Sequence, residues 1–167
     1  MNDRLTRSDI QKMMDEIEHR KQVVRKEAIE AVKEAKAQGD LSENFEYYAA
    51  KRFRNQNESR IRYLERMIKT AEVFEDTSSE DEVGMNTTVE VYFEEDDEVE
   101  TYRIVTTIRE NSLQGLISVE SPIGKALYGK KVGDRVKVTV NESYEYYVQI
   151  RAITKTEDDS EDKIRSF

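Results

Sequence analysis

Two runs of apolar residues at helical spacing are separated only by Gly39-Asp40-Leu41-Ser42-Glu43-Asn44, and that adjacency constrains the fold more than any other feature. Before it, Ile10, Met13, Met14, Ile17, Val24, Ala28, Ala31, Val32 and Ala35 recur every three or four residues. After it, Phe45, Tyr48, Ala49, Phe53, Ile61, Leu64, Met67, Ile68 and Ala71 do the same. Each set lines one stripe of a helix. Helices joined by so short a connection must run antiparallel for their stripes to meet. The first is expected from about Asp9 to Gln38, capped by Thr6 or Ser8, with Asp9 favouring its dipole. The second is expected from Ser42 or Glu43 to Glu72. Gly39 suits the left-handed residue that ends the first helix, and Asp40 or Ser42 suits the cap of the second. About 30 residues at 1.5 Å each give an arm of about 45 Å.

The end of this hairpin carries two carboxylates three residues apart, Asp40 and Glu43. They fit a capping box, and equally a pair of ligands for a hard cation. The two roles are compatible. Lys51, Arg52 and Arg54, joined by Lys36 across the hairpin, form a small basic patch that reads as a solvated face or as a polyanion contact. Phe45, Tyr47, Tyr48 and Phe53 interleave with it. Such rings can stack on bases, but packing in the helical seam is the expectation for Phe45 and Tyr48. More polar seam positions near this end predict a tight base and a looser tip.

Charge narrows the partners. Residues 1–72 hold 16 Lys and Arg against 14 Asp and Glu, whereas residues 73–167 hold 11 against 22, within a net charge of −9. A near-neutral hairpin on an acidic body is not held to duplex DNA by general attraction. There is no cysteine, hence no disulfide framework or thiolate site. The single histidine, His19, sits among charges without a nucleophile at useful spacing and reads as a surface residue. No apolar run is long enough to cross a bilayer and no signal peptide begins at Met1, so a cytoplasmic monomer with no membrane partner is expected.

Beyond the hairpin, expected over 1–73, the pattern changes. Residues 74–85 are polar, acidic and serine-bearing, and read as a linker. From Thr87 the period becomes two, with strands expected at Thr87–Phe93, Val99–Ile108, Leu116–Val119, Arg135–Val140 and Tyr144–Ile153. Between them Pro122, the only proline, can open a short helix. The expected fold class is α+β: a helical coiled-coil hairpin followed, over 86–154, by a small antiparallel sheet curled over one short helix. Residues 155–167 are largely acidic and are expected to be mobile.

These residues resemble those of the Gre transcript cleavage factors of bacteria, a family of transcription elongation factors, and most of all its GreA branch. Gly39-Asp40-Leu41-Ser42-Glu43-Asn44-Phe45-Glu46-Tyr47-Tyr48-Ala49-Ala50-Lys51 fits the pattern GDL-x-EN-x-EY-x-x-A-[KR]. Ile117-Ser118-Val119, Ser121-Pro122-Ile123-Gly124, Ala126-Leu127 and Gly129-Lys130 form a second match, and Tyr102-Arg103-Ile104-Val105 a third. The resemblance runs over roughly residues 5–153.

The resemblance implies a carboxy-terminal domain similar to an FKBP-like fold, docked at the rim of the secondary channel of bacterial RNA polymerase. The coiled coil would enter that channel. The factor would be no enzyme itself but would stimulate the polymerase to cleave the nascent RNA 3′ end extruded by backtracking. Asp40 and Glu43 would take the catalytic and metal role, toward a Mg²⁺ held jointly with the polymerase and not by the isolated protein. Asn44 and Tyr47 would orient the site or the RNA, and Lys36, Lys51 and Arg52 would face the RNA. Ser121, Pro122 and Ile123 would belong to the docking surface. Arg52-Phe53-Arg54 makes the patch more basic than is usual in the family, and the acidic tail is an extension without an assigned role. The alternatives are a secondary-channel regulator that does not promote cleavage, and a coiled-coil interaction protein unrelated to polymerase.

Overall fold

A chain with long helical stripes and then alternating strands should separate into a helical part and a sheet. The computed structural model, which describes residues 4–39, 44–156 and 159–166, divides that way. One unit comprises Ile10–Glu72; the other comprises Arg4–Asp9 and the described residues from Val73 onward.

In the helical unit, α1 (Arg7–His19) continues through a π-helical turn (Arg20–Val24) into α2 (Arg25–Ala37), and α3 (Phe45–Thr70) returns. Cross-helix bonds link Glu16 with Arg60, Arg20 with Asn57 and Ala35 with Asn44, so the later residue falls as the earlier one rises. That progression is antiparallel. The seam buries Met13, Ala28, Val32, Ala35, Ile61 and Leu64. The small alanines let the backbones approach, and Ile61 and Leu64 each contribute about 2 kcal/mol of burial.

The expected stripe holds only in part. Met14, Phe45, Tyr48 and Phe53 are exposed, Phe45 by 86%. Phe45 and Tyr48 therefore do not pack the seam, correcting the sequence expectation. Between tip and base, polar Asn57 and Arg60 take buried positions instead. Arg60 and Arg20 both reach Glu16, at 2.8 and 2.7 Å. Arg20 Nη1 donates to Asn57 Oδ1, and Asn57 Nδ2 donates to the Arg20 carbonyl. Arg20 opens the π-helical turn, and its carbonyl also accepts from the Arg25 N–H. The one irregularity in the helix thus coincides with the polar link across the hairpin.

Two-residue strands β1 (Arg4–Leu5) and β2 (Glu72–Val73) flank the hairpin in sequence, and in the second unit the Phe74 N–H donates to the Leu5 carbonyl. The main sheet has the order β5-β4-β3-β7-β6. Its strands are β3 (Thr87–Phe93), β4 (Glu98–Val105), β5 (Leu116–Ser118), β6 (Arg135–Asn141) and β7 (Tyr144–Lys155). Four strands are antiparallel, as the alternation predicts. The edge strand β5 instead runs parallel to β4, registering Ile104 with Ile117. The span Thr107–Gly115, with two 3₁₀ turns, supplies the crossover that a parallel pair requires.

One sheet face and α4 (Pro122–Leu127) enclose a core that includes Val89, Val91, Ile104, Leu127, Val138 and Ile150. The span read as a linker is tied down here: Asp76 accepts from the backbone N–H groups of Ser78 and Met85, and Tyr128 OH donates to it. The tail expected to be mobile also makes contacts. Asp162 is buried, and the Arg165 N–H donates to the Ile108 carbonyl at 2.8 Å.

Candidate functional site

Helix α2 ends at Ala37, and Gly39 follows with φ +127°, a backbone region that disfavours any side chain. Asp40, Leu41, Ser42 and Glu43 lie outside the described residues, so the two carboxylates singled out from sequence have no geometry here. The description resumes at Asn44.

Asn44 is the N-cap of α3, with φ −89° and ψ 95°. Its Oδ1 accepts from the Tyr47 N–H at 3.0 Å. The cap role expected of Asp40 or Ser42 therefore belongs to Asn44, and α3 starts at Phe45. Asn44 Nδ2 also donates to the Ala35 carbonyl at 2.8 Å. One amide satisfies an orphan donor of α3 and an orphan acceptor of α2. This clamp closes the hairpin next to the segment that carries Asp40 and Glu43. Sequence reasoning placed Asn44 in the motif without this role. The missed signal was an asparagine immediately before a helical run, itself a cap signature.

Around the clamp, Lys36 Nζ lies 5.9 Å from the centroid of the Tyr47 ring, and Tyr47 and Tyr48 meet at 5.6 Å. Lys36, Lys51 and Arg52 are exposed, and Arg54 is half-buried. Exposed Phe45, Tyr48 and Phe53 share this part of the hairpin with the cations. Cations and apolar rings open to solvent can meet a phosphate backbone and unstacked bases. Asp40 and Glu43 offer carboxylate oxygens, which fits Mg²⁺ as a donor set but leaves most of its coordination to other groups.

The Ser121-Pro122-Ile123 segment lies in the sheet unit. Ser121 Oγ caps α4 by accepting from the Gly124 N–H, and donates to the Ser118 carbonyl at 2.6 Å. Pro122 stands at the start of α4 and is exposed, while Ile123 packs against the core. Much of this motif thus builds α4, and Pro122 is its most open member. A Cβ on Gly124 would stand 2.0 Å from the Ser118 carbonyl oxygen, so the glycine is sterically required.

Comparison with known proteins gives these features a family. The model of the transcription elongation factor N-terminal domain matches residues 4–73, and that of the GreA/GreB C-terminal domain matches residues 78–155. The chain belongs to the GreA/GreB transcription elongation factor family. It is 45% identical over 137 residues to transcription elongation factor GreA of Thermoanaerobacter pseudethanolicus, covering 81% of this chain and 87% of that one. It is 41% identical over 150 residues to GreA of Macrococcus caseolyticus, covering 90% and 95%. A solved structure of the transcription factor Gfh1 is similar at 26% identity and a TM-score of 0.45, over 92% of this chain and 97% of that chain. GreA/GreB proteins are named as transcription elongation factors rather than enzymes. In this family member, no described helix is long and apolar enough to cross a membrane.

Proposed function

We propose that this elongation factor binds bacterial RNA polymerase, inserts its hairpin into the secondary channel and stimulates cleavage of backtracked nascent RNA. The observation that carries the reading is the Asn44 clamp. It ties α2 to α3 beside Glu43, on an arm whose α3 alone is 26 residues, or about 39 Å, long. A flexible loop would lose the advantage of presenting two carboxylates in a fixed place.

In this reading Asp40 and Glu43 add oxygen ligands where the polymerase supplies the others. Magnesium held jointly in that way supplies water activation and charge stabilisation for hydrolysis of a phosphodiester. Asn44 keeps the start of α3 in place, and Tyr47 positions the Lys36 ammonium. Lys36, Lys51 and Arg52 face the RNA phosphates, and exposed Phe45 and Tyr48 offer rings to its bases. The segment around Pro122, with Ser121 and Ile123 supporting it, belongs to the surface that docks on polymerase.

The test is a backtracked elongation complex with labelled RNA, given the protein and Mg²⁺. Faster release of short 3′ fragments is expected, abolished by Asp40→Ala or Glu43→Ala with polymerase binding retained. Equal cleavage by these variants would remove the metal role. Binding by the unaltered protein without cleavage would leave a channel regulator.

A further inference from the structure

Arg109 has 0% relative exposure, and its charge is answered from three directions. Asp9, in the first turn of α1, meets its Nε at 2.5 Å. Asp162 and Asp159, from the carboxy-terminal segment, meet its Nη1 at 2.8 and 3.5 Å. Asn86 Oδ1 also accepts from Nη1, at 2.8 Å. Asp162 pairs through its other oxygen with Arg103 of β4, and Ser8 donates to Asp159 at 3.0 Å. The Arg165 N–H bonds to the Ile108 carbonyl, and the Arg165 side chain reaches Glu110 at 3.6 Å.

Asp9 is the other fully buried member. It closes a reciprocal cap with Thr6: the Thr6 N–H donates to Asp9 Oδ2 and the Asp9 N–H donates to Thr6 Oγ1. Thr106 Oγ1 donates to the same Asp9 oxygen at 2.7 Å. The group that starts α1 is thus also a group that neutralises Arg109. Without the tail, Arg109 would lose Asp162 and Asp159 and keep Asp9 as its carboxylate partner, Arg103 would lose its pair with Asp162, and a buried charge short of partners is costly.

We propose that residues 159–165 are a strap that holds the first turn of α1 in place through the Arg109 cluster. The strap lies beyond the residues that the family models match, which end at 155. It makes the root of the long helix depend on the far end of the chain. The occupant of the Arg103–Arg109 surface is the chain's own acidic segment, selected by the buried Arg109 guanidinium, the half-buried Arg103 guanidinium and the bond from Arg165 to Ile108.

Hydrogen exchange of the full-length protein by mass spectrometry tests this. In Asp162→Ala, and more mildly in Asp159→Asn, peptides covering 4–12 and 104–110 should exchange about tenfold faster or more, with peptides of β3 and β7 unchanged. Glu161→Gln, which alters an exposed charge of the same segment, should leave all of them as they were. The proposal is overturned if the tail loses protection while residues 4–12 keep theirs. It is also overturned if β3 and β7 exchange rises in parallel, or if Glu161→Gln acts like Asp162→Ala.

Discussion

Asn44 donates to the carbonyl of Ala35 at 2.8 Å while its own Oδ1 accepts from the Tyr47 N–H. One side chain joins the end of one helix to the start of the next. Substituting it should reveal whether the ends act together. Asn44→Ala removes cap and clamp and should lower stability by about 1–2 kcal/mol, read as a shift in the denaturant midpoint. Asn44→Asp keeps the cap acceptor but loses the donor to Ala35. It should recover most of the stability while still reducing transcript cleavage.

The exposed rings near Asn44 and the buried residues toward the base should respond oppositely. Leu64 is fully buried, so Leu64→Ala should cost about 2–5 kcal/mol. Phe45 is 86% exposed, so Phe45→Ala should change stability by no more than about 0.5 kcal/mol. If Phe45 serves an RNA base, the same variant should weaken cleavage at unchanged melting temperature.

Glu16 should give the helical unit an acid sensitivity. Burial pushes its carboxyl upward, but hydrogen bonds from Arg60 and Arg20 outweigh it and hold the group below 4.5. Its stabilising contribution is therefore complete above pH 4.5 and is lost as pH falls through the lowered folded value. Helicity followed by circular dichroism from pH 7 to pH 3 should show this loss. Glu16→Gln should be less stable near neutral pH and should flatten that part of the profile.

Gly124 tests the second motif. A methyl group there meets the Ser118 carbonyl oxygen at 2.0 Å, and backbone cannot yield as a flexible side chain can. Gly124→Ala should cost about 1–3 kcal/mol, measured by thermal unfolding. Pro122→Ala should leave the fold nearly unchanged, so any loss of polymerase binding by that variant would identify docking rather than folding.

The helical period made the hairpin legible, and the change to period two at Thr87 made β3 legible to the residue. The stripe was misleading at Phe45, Tyr48 and Phe53. Periodicity says which residues share a face, whereas burial depends on what the opposite helix presents at the same height. Near the tip the three rings remain in solvent. Likewise, nothing local marked β5 as parallel, because strand direction is set by the path of the 107–115 crossover.

Local chemistry alone decided that there would be two helices with a turn at Gly39, a strand-rich body and a short helix opened by Pro122. These follow from side-chain period, backbone freedom and capping, which act over a few residues. Only the folded chain decided that Asn44 would clamp Ala35, that Asn57 would meet Arg20, and that Asp162 would reach Arg109. Those pairs are 9, 37 and 53 residues apart. Their energy exists only once packing has excluded water and brought distant groups within hydrogen-bond reach.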